Sequence, residues 1–319
     1  MKLSIVTTLY CSSPYILKFY ERASLVAKKF AKDDFEIIFV NDGSPDDSLS
    51  IASEIARRDP RITIIDLSRN FGHHKSMMTG LNHASGEYVF LIDSDLEEDP
   101  DWLLQFNDKL QSEAADMIYG YQQSRKGGIF EKLSGFIYYK LFNFFTDISQ
   151  PANITTARLM TKRYVKALVS HEEREISIGG LWYLTGFKQI SIKVKKLSTS
   201  PTTYTVKKKL ITLINTITSF SSKPLVSIFY IGLIVTLSAI LYIASLLLIY
   251  FFDQPPVGYT SIVASIWLLS GLIILMQGIL GIYISKIFSE VKGRPYTIIR
   301  QIINFNNPEK KSTISDDHE

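Results

Sequence analysis

Cysteine is nearly absent from this 319-residue chain: Cys11 stands alone, which excludes an internal disulfide and fits a reducing compartment. Neither a G-x-G-x-x-G dinucleotide turn nor a G-x-x-x-x-G-K-[ST] phosphate loop occurs, which argues against a dehydrogenase or an ATPase. No basic face with interleaved stacking aromatics stands out and the formal net charge is only +4, so nucleic acid is not an expected partner. The N-terminal MKLSIVTTLYC has neither the long apolar core nor the small-residue cleavage pattern of a signal peptide and reads as a first strand. His73 and His74 lack a carboxylate–histidine spacing that would make a metal set, and read as structural or substrate-lining residues.

The largest deficit is of charge near the C-terminus. No charged residue occurs over 224–252, and after Asp253 none appears until Lys286. Each run exceeds the roughly 20 apolar residues that cross a bilayer, and the intervening DQPPVGY reads as a turn. The expectation is a membrane hairpin over about 225–250 and 261–284, within a segment 224–285. Lys207, Lys208, Lys209 and Lys223 precede it, Lys286, Lys292, Arg294 and Arg300 follow it, and the turn has no Lys or Arg. The positive-inside rule then places both ends in the cytoplasm, with the basic flanks suited to an anionic lipid bilayer.

Ahead of that segment the chain alternates. Strand-like runs at Leu3–Leu9, Phe35–Val40, Ile62–Leu67 and Tyr88–Ile92 are interleaved with helical patterns at about 15–31, 46–58 and 75–84, which predicts a doubly wound α/β domain with parallel strands over 1–205. A helix over 100–112, capped by Asp99 and begun by Pro100, and a strand over Asp116–Tyr121 follow. Residues 129–148 are rich in Phe and Tyr at helical spacing and carry Lys132 and Lys140, which predicts an amphipathic helix in the membrane interface. Residues 206–223 read as a second, juxtamembrane amphipathic segment, and 286–319 as a cytoplasmic basic segment with a disordered tail.

The richest stretch is YVFLIDSDLEEDP, residues 88–100, where a short apolar run stops at Asp93, Ser94 and Asp95. Parallel sheets bind ligands at the carboxyl ends of their strands. Residues two apart on an extended chain project the same way, so Asp93 and Asp95 converge on one hard cation whose other positions are left to phosphate oxygens. The bland alternative is an acidic strand-to-helix turn with Asp95 or Asp99 as cap. Context favours the ligand: Asn41-Asp42-Gly43-Ser44 closes the second run, suited to a ribose or base, and Ser68-Arg69-Asn70-Phe71-Gly72 the third, with Arg69 able to offset diphosphate charge.

Taken together, VNDGSPDDS, LSRNFGHHKSMMTGLNHASGEYVFLIDSDLEEDP, ITSFSSKPL and YISKIFSEVKGRPYTII resemble the family 2 glycosyltransferases that charge a polyprenyl phosphate, the group of dolichol-phosphate mannose synthase and the bactoprenol glucosyltransferases, over nearly the whole chain. The resemblance implies a GT-A fold, a nucleotide-sugar donor, a divalent cation (Mg2+ or Mn2+), and inverting transfer of one sugar to a lipid phosphate such as undecaprenyl phosphate at the bacterial plasma membrane. A homo-oligomer is compatible with it. By position it implies that Asp42 meets the nucleoside, that Asp93 and Asp95 flank the metal and diphosphate, and that Arg158 is the arginine of the family's D-F-R-L segment. The acid that precedes that arginine in relatives is Thr156 here, and Glu97 and Glu98 add two acids beside the D-x-D pair. Ser200–Tyr204 stands where relatives show G-x-S-K-Y, with Thr203 in place of the basic residue, which leaves Lys195 and Lys196, with Arg158, to hold the acceptor phosphate. Thr156 also keeps open a non-catalytic subunit that binds a nucleotide sugar.

Overall fold

The computed structural model describes residues 1–122, 153–173, 178–197, 221–252 and 258–305, with 214, 217 and 218. The chain forms two compact units, one of Met1–Tyr139, Gln150–Tyr204 and Arg294–Glu319, the other of Lys140–Ser149 and Thr205–Gly293. The expected interfacial helix at 129–148, most of 206–220, the SPTTY segment and the tail from 306 lie outside the described residues.

The first unit opens with β1 (Leu3–Leu9), α1 (Ile16–Ala31), β2 (Phe35–Asn41), α2 (Ser48–Arg58), β3 (Ile62–Leu67), α3 (His73–Asn82) and β4 (Tyr88–Leu91). It continues with α4 (Trp102–Glu113), β5 (Met117–Tyr121), β6 (Ile154–Thr161), α5 (Lys162–Val169), α6 (Ile178–Leu184) and β7 (Gln189–Lys193). The second unit supplies α7 (Lys223–Phe252) and α8 (Tyr259–Val291), after which the chain returns to the first unit as β8 (Ile299–Ile303).

One sheet holds all the strands, in the order β7-β5-β6-β4-β1-β2-β3-β8. The four central strands are parallel, β6 runs antiparallel between β4 and β5, and β8 is antiparallel on the edge of β3. β1, β2 and β3 are buried at every residue because helices cover both faces, and unbroken apolar runs such as Ile37–Val40 meet that requirement. α1 turns Ile16, Phe19, Ala23, Val26 and Ala27 inward at helical spacing, into the core around Leu3, Ile5, Phe39 and Phe106. α3 lies close on β1 and β2: a β-carbon at Gly80 would come within 2.5 Å of Val6 and 2.8 Å of Val40.

Three strands depart from the sequence-based expectation. β6 and β7 were not anticipated, and Ile299–Ile303, assigned above to a basic tail segment, is the eighth strand. The reason is the open edge of β3: its backbone groups need partners, and a short β-branched run beyond α8 supplies them. The cap expectation at α4 also shifts, because that helix begins at Trp102 and Asp99 receives the Asp101 amide at 2.9 Å, closing the turn before it.

In the second unit, Leu268–Val291, 24 residues, is long and apolar enough to cross a membrane by length and composition, with mean hydropathy 2.0 in an 18-residue window and none of that window buried. The described part of α7 gives a shorter apolar stretch, Lys223–Val235. Both expected spans are therefore helical, and among the described residues one of them meets the length criterion.

Candidate active site

Parallel pairing places the carboxyl ends of β4, β1, β2 and β3 along one rim, and the loops there are cross-tied by short side chains. Ser94 Oγ donates to the Thr8 carbonyl at 3.0 Å, joining the end of β4 to that of β1. The Cys11 amide donates to Ser44 Oγ at 2.8 Å, and the amides of Ser13 and Ser48 donate to Asp46 at 3.0 and 3.1 Å. Burial works against the Asp46 charge, yet hydrogen bonds from Ser44, Ser48 and Ser13 hold its carboxyl well below the usual range. Asp42 is buried and receives two amides of the loop after β3, Phe71 N–H at 2.7 Å and Gly72 N–H at 3.0 Å. Gly43 makes that approach feasible: its φ is +58°, and a β-carbon there would lie 2.4 Å from the Arg69 carbonyl carbon. Asp42 thus fixes the geometry of the expected nucleoside loop through its own carboxylate.

Beyond Leu91 the chain leaves the strand and turns at Ser94 and Asp95, with Leu96 at φ +60°. The extended-chain argument for Asp93 and Asp95 therefore gives way to a turn, which brings them close enough for Asp93 to raise the Asp95 carboxyl pKa beyond the increase due to burial. Asp95 Oδ1 accepts the Glu97 amide at 2.9 Å. Asp93 meets His73, whose Nε2 lies 3.3 Å from Oδ1 while its Nδ1 is 3.0 Å from Thr8 Oγ1. Burial alone would push Asp93 up; His73 and then Lys196 hold it below the usual carboxylate range. The same contact keeps His73 above its ordinary value against the burial that lowers it.

Lys196 Nζ sits 3.2 Å from Glu97 Oε2 and 3.6 Å from Glu98 Oε1. Burial disfavours its charge, but Glu98, Asp93 and Asp95 raise its pKa. Glu98 is fully buried and accepts the amides of Thr156 and Ala157 at 2.9 and 2.7 Å, binding the turn after β4 to β6. Burial and the Asp93 charge push it up to about 7.

The remaining expected residues are placed differently, though Arg158 lies within electrostatic reach of Glu98. Arg158 is 1% exposed, opposite Leu91 and Tyr119 in the sheet register. Its Nε and Nη2 donate to the carbonyls of Thr156 and Thr155, at 3.0 and 2.8 Å, and its guanidinium stacks on Trp182. Burial lowers it to about 9, so it remains protonated at neutral pH, beneath the surface rather than presented to solvent. Arg69 is exposed and stacks on Phe71. Lys195 is exposed, while Lys196 is turned to Glu97 and Glu98.

Residues 4–169 match the family described as Glycosyl transferase family 2. This chain belongs to that family and is a glycosyltransferase. A Mycobacterium tuberculosis (strain CDC 1551 / Oshkosh) protein described as a glycosyltransferase is 50% identical over 307 residues, 95% of this chain and 88% of that one. The uncharacterized glycosyltransferase YkcC of Bacillus subtilis (strain 168) is 33% identical, covering 95% of each chain. The SfII prophage-derived bactoprenol glucosyl transferase of Shigella flexneri is 32% identical over 94% of this chain and 98% of its own. Among solved structures, the mannosyltransferase PcManGT from Pyrobaculum calidifontis in complex with GDP-Man and Mn2+ is similar at 16% identity and TM-score 0.49, over 91% of this chain and 86% of that one.

The donor set of this family 2 glycosyltransferase fits a hard divalent cation. Asp93 and Asp95, the expected pair, offer only oxygen, and the repulsion from Asp93 that raises Asp95 is what such a cation relieves. Among the described residues no three His, Cys, Asp or Glu side chains already surround a common metal position. Sequence reasoning missed the contact of His73 with Asp93 and the burial of Glu98 against β6. The first had a signal, a histidine placed directly after the third strand-end loop; the second had none, since β6 itself was not legible.

Proposed function

We propose that this glycosyltransferase moves one sugar from a nucleotide-sugar donor to a polyprenyl phosphate, with inversion, at the cytoplasmic face of a bacterial plasma membrane in which α7 and α8 are embedded. The observation that carries the reading is the pair Asp93 and Asp95 at the carboxyl rim of the parallel strands, held by the rim's own hydrogen bonds; the relatives named for bactoprenol support the acceptor. Asp93 and Asp95 hold a divalent cation, Mg2+ or Mn2+, which when bound supplies positive charge to the leaving nucleotide diphosphate. Asp42, through the loop it fixes, orients the nucleoside, and Arg69 offsets diphosphate charge from its exposed position. His73 orients the Asp93 carboxylate by its contact at 3.3 Å.

Thr156 in place of an acid is compatible with transfer. A phosphate monoester has a second pKa near ~6, so the attacking oxygen is largely anionic at neutral pH and needs placement more than a base. Exposed Lys195 offers the acceptor phosphate a cation, and the buried charge of Arg158 adds a favourable field from below. Incubation of the purified protein with radiolabelled nucleotide sugars, Mg2+ or Mn2+ and undecaprenyl phosphate tests the reading. A labelled lipid is expected from wild type, and Asp95→Asn, with its fold and membrane binding intact, is expected to lower the yield by a factor of 100 or more, roughly 3 kcal/mol of lost transition-state charge stabilisation. Undiminished turnover in that variant removes the site assignment.

A further inference from the structure

Asp66, on β3, is fully buried and belongs to none of the roles above. A buried carboxyl needs partners, and this one draws them from two distant parts of the chain. Asn41 Nδ2, at the end of β2, donates to Oδ1 at 2.8 Å. From β8, Gln301 Nε2 lies 3.3 Å and Arg300 Nη1 3.5 Å from Oδ2. Consecutive residues of a regular strand point to opposite faces, so two neighbours should not reach one carboxyl. The sheet register supplies the reason: Gln301 pairs with Asp66 and Ile299 with Leu67, which leaves Arg300 as the extra residue of a bulge that re-aims its side chain.

The network continues into the rim. Asn41 Oδ1 accepts the Ser44 amide at 3.3 Å, shaping the turn that carries Asp42. Arg300 Nη2 donates to the Ser68 carbonyl at 2.7 Å, and the Ser68 amide donates to the Ile298 carbonyl at 2.9 Å. The loop 68–72 is therefore pinned at its start by the chain beyond α8 and at its end by Asp42.

We propose that Arg300 and Gln301 are positioning residues for the donor nucleotide, acting through Asp66, Asn41 and Ser68, so that the donor site is completed by the strand that follows the apolar helices. This rests on the donor reading of Asp42 and the 68–72 loop. Full-length protein in detergent with Mn2+ is titrated calorimetrically with UDP and with GDP, and the nucleotide that binds wild type is carried to the variants. Arg300→Ala is expected to weaken binding by roughly tenfold or more, the scale of one lost charge-assisted hydrogen bond. Gln301→Ala should weaken it less, and Arg300→Lys should restore part of the loss by returning a cation to Asp66. Arg300 is half-exposed, so its truncation leaves no cavity, but it removes a cation from buried Asp66; the thermal midpoint should fall modestly, and Arg300→Lys should recover part of that fall together with the affinity.

Wild-type affinity in both alanine variants, while Asp42→Asn loses binding, overturns the link to β8 and leaves the donor site standing. Wild-type affinity in Asp42→Asn, or no nucleotide binding by wild type, overturns the donor reading and this inference with it. A thermal midpoint that falls in Arg300→Ala with affinity unchanged, or an affinity loss that Arg300→Lys does not restore at all, assigns Arg300 to structure alone and overturns the proposal as well.

Discussion

At the scale of single residues, the rim is an exercise in placing like charges close together. Asp93, Asp95, Glu97 and Glu98 fall within six positions, and the protein supplies their partners, the His73 ring to Asp93 and the Lys196 ammonium to Glu97 and Glu98. Glu98 is the extreme case, because its charge is buried beside Asp93 and its pKa rises to about 7 from the ordinary 4.5 of a glutamate. The sign of the linkage follows. Between those values the folded protein binds a proton that the unfolded chain does not, so Glu98 favours the fold least where it must ionise, and its contribution falls as pH rises from about 4.5 through about 7. Glu98→Gln removes that titration and keeps an oxygen for one of the two amides of Thr156 and Ala157, while its NH2 opposes the other, a penalty that does not vary with pH. Thermal midpoints of wild type and Glu98→Gln, measured in EDTA from pH 5 to 8, are expected to shift in favour of the variant as pH increases; parallel curves would place the titration elsewhere.

At the scale of elements, the fold was legible wherever one strand is one apolar run. β1 and β3 are delimited to the residue, and β2 and β4 to within one, because a strand buried on both faces is mostly apolar and β-branched and stops at polar turns. β6 was not legible: Ile154–Thr161 carries three threonines and an arginine, and its polar side chains are satisfied by neighbours that only the folded sheet provides. β8 was hidden for a different reason, since its basic residue doubles as a membrane flank in sequence and only the open edge of β3 gives it meaning. The site divides the same way: Asp42, Asp93 and Asp95 follow legible strands, while the partners of Glu98 and Asp66 come from β6 and β8. Helix placement on the sheet is tight enough to predict. Gly80→Ala drives a methyl group into Val6 and Val40, and should cost about 1–3 kcal/mol through overpacking between α3 and the central strands. Chemical denaturation should show a lower midpoint with an unchanged slope. A wild-type midpoint would mean that the two valines yield without cost.

At the scale of the whole molecule, chain order and sheet order disagree in a way that has consequences. The apolar helices lie in sequence between β7 and β8, so a chain cut before α7 loses a strand along with those helices. Among the described residues Leu268, Ile274 and Val291 are 74%, 68% and 81% exposed, apolar side chains on a helix of bilayer-crossing length. Two defects are thus expected from truncation, and they are separable. A chain ending at residue 220 should leave the membrane fraction and also leave the β3 edge unpaired, with Asp66 stripped of Arg300 and Gln301. Replacing 221–293 with a long Gly/Ser linker should remove the apolar helices while keeping β8 in the chain, at an effective concentration set by the linker. The linker form is expected in the soluble fraction with a higher thermal midpoint than the truncated form and less aggregation. Equal midpoints for the two would mean that β8 adds nothing to the sheet that the strands before it do not already hold.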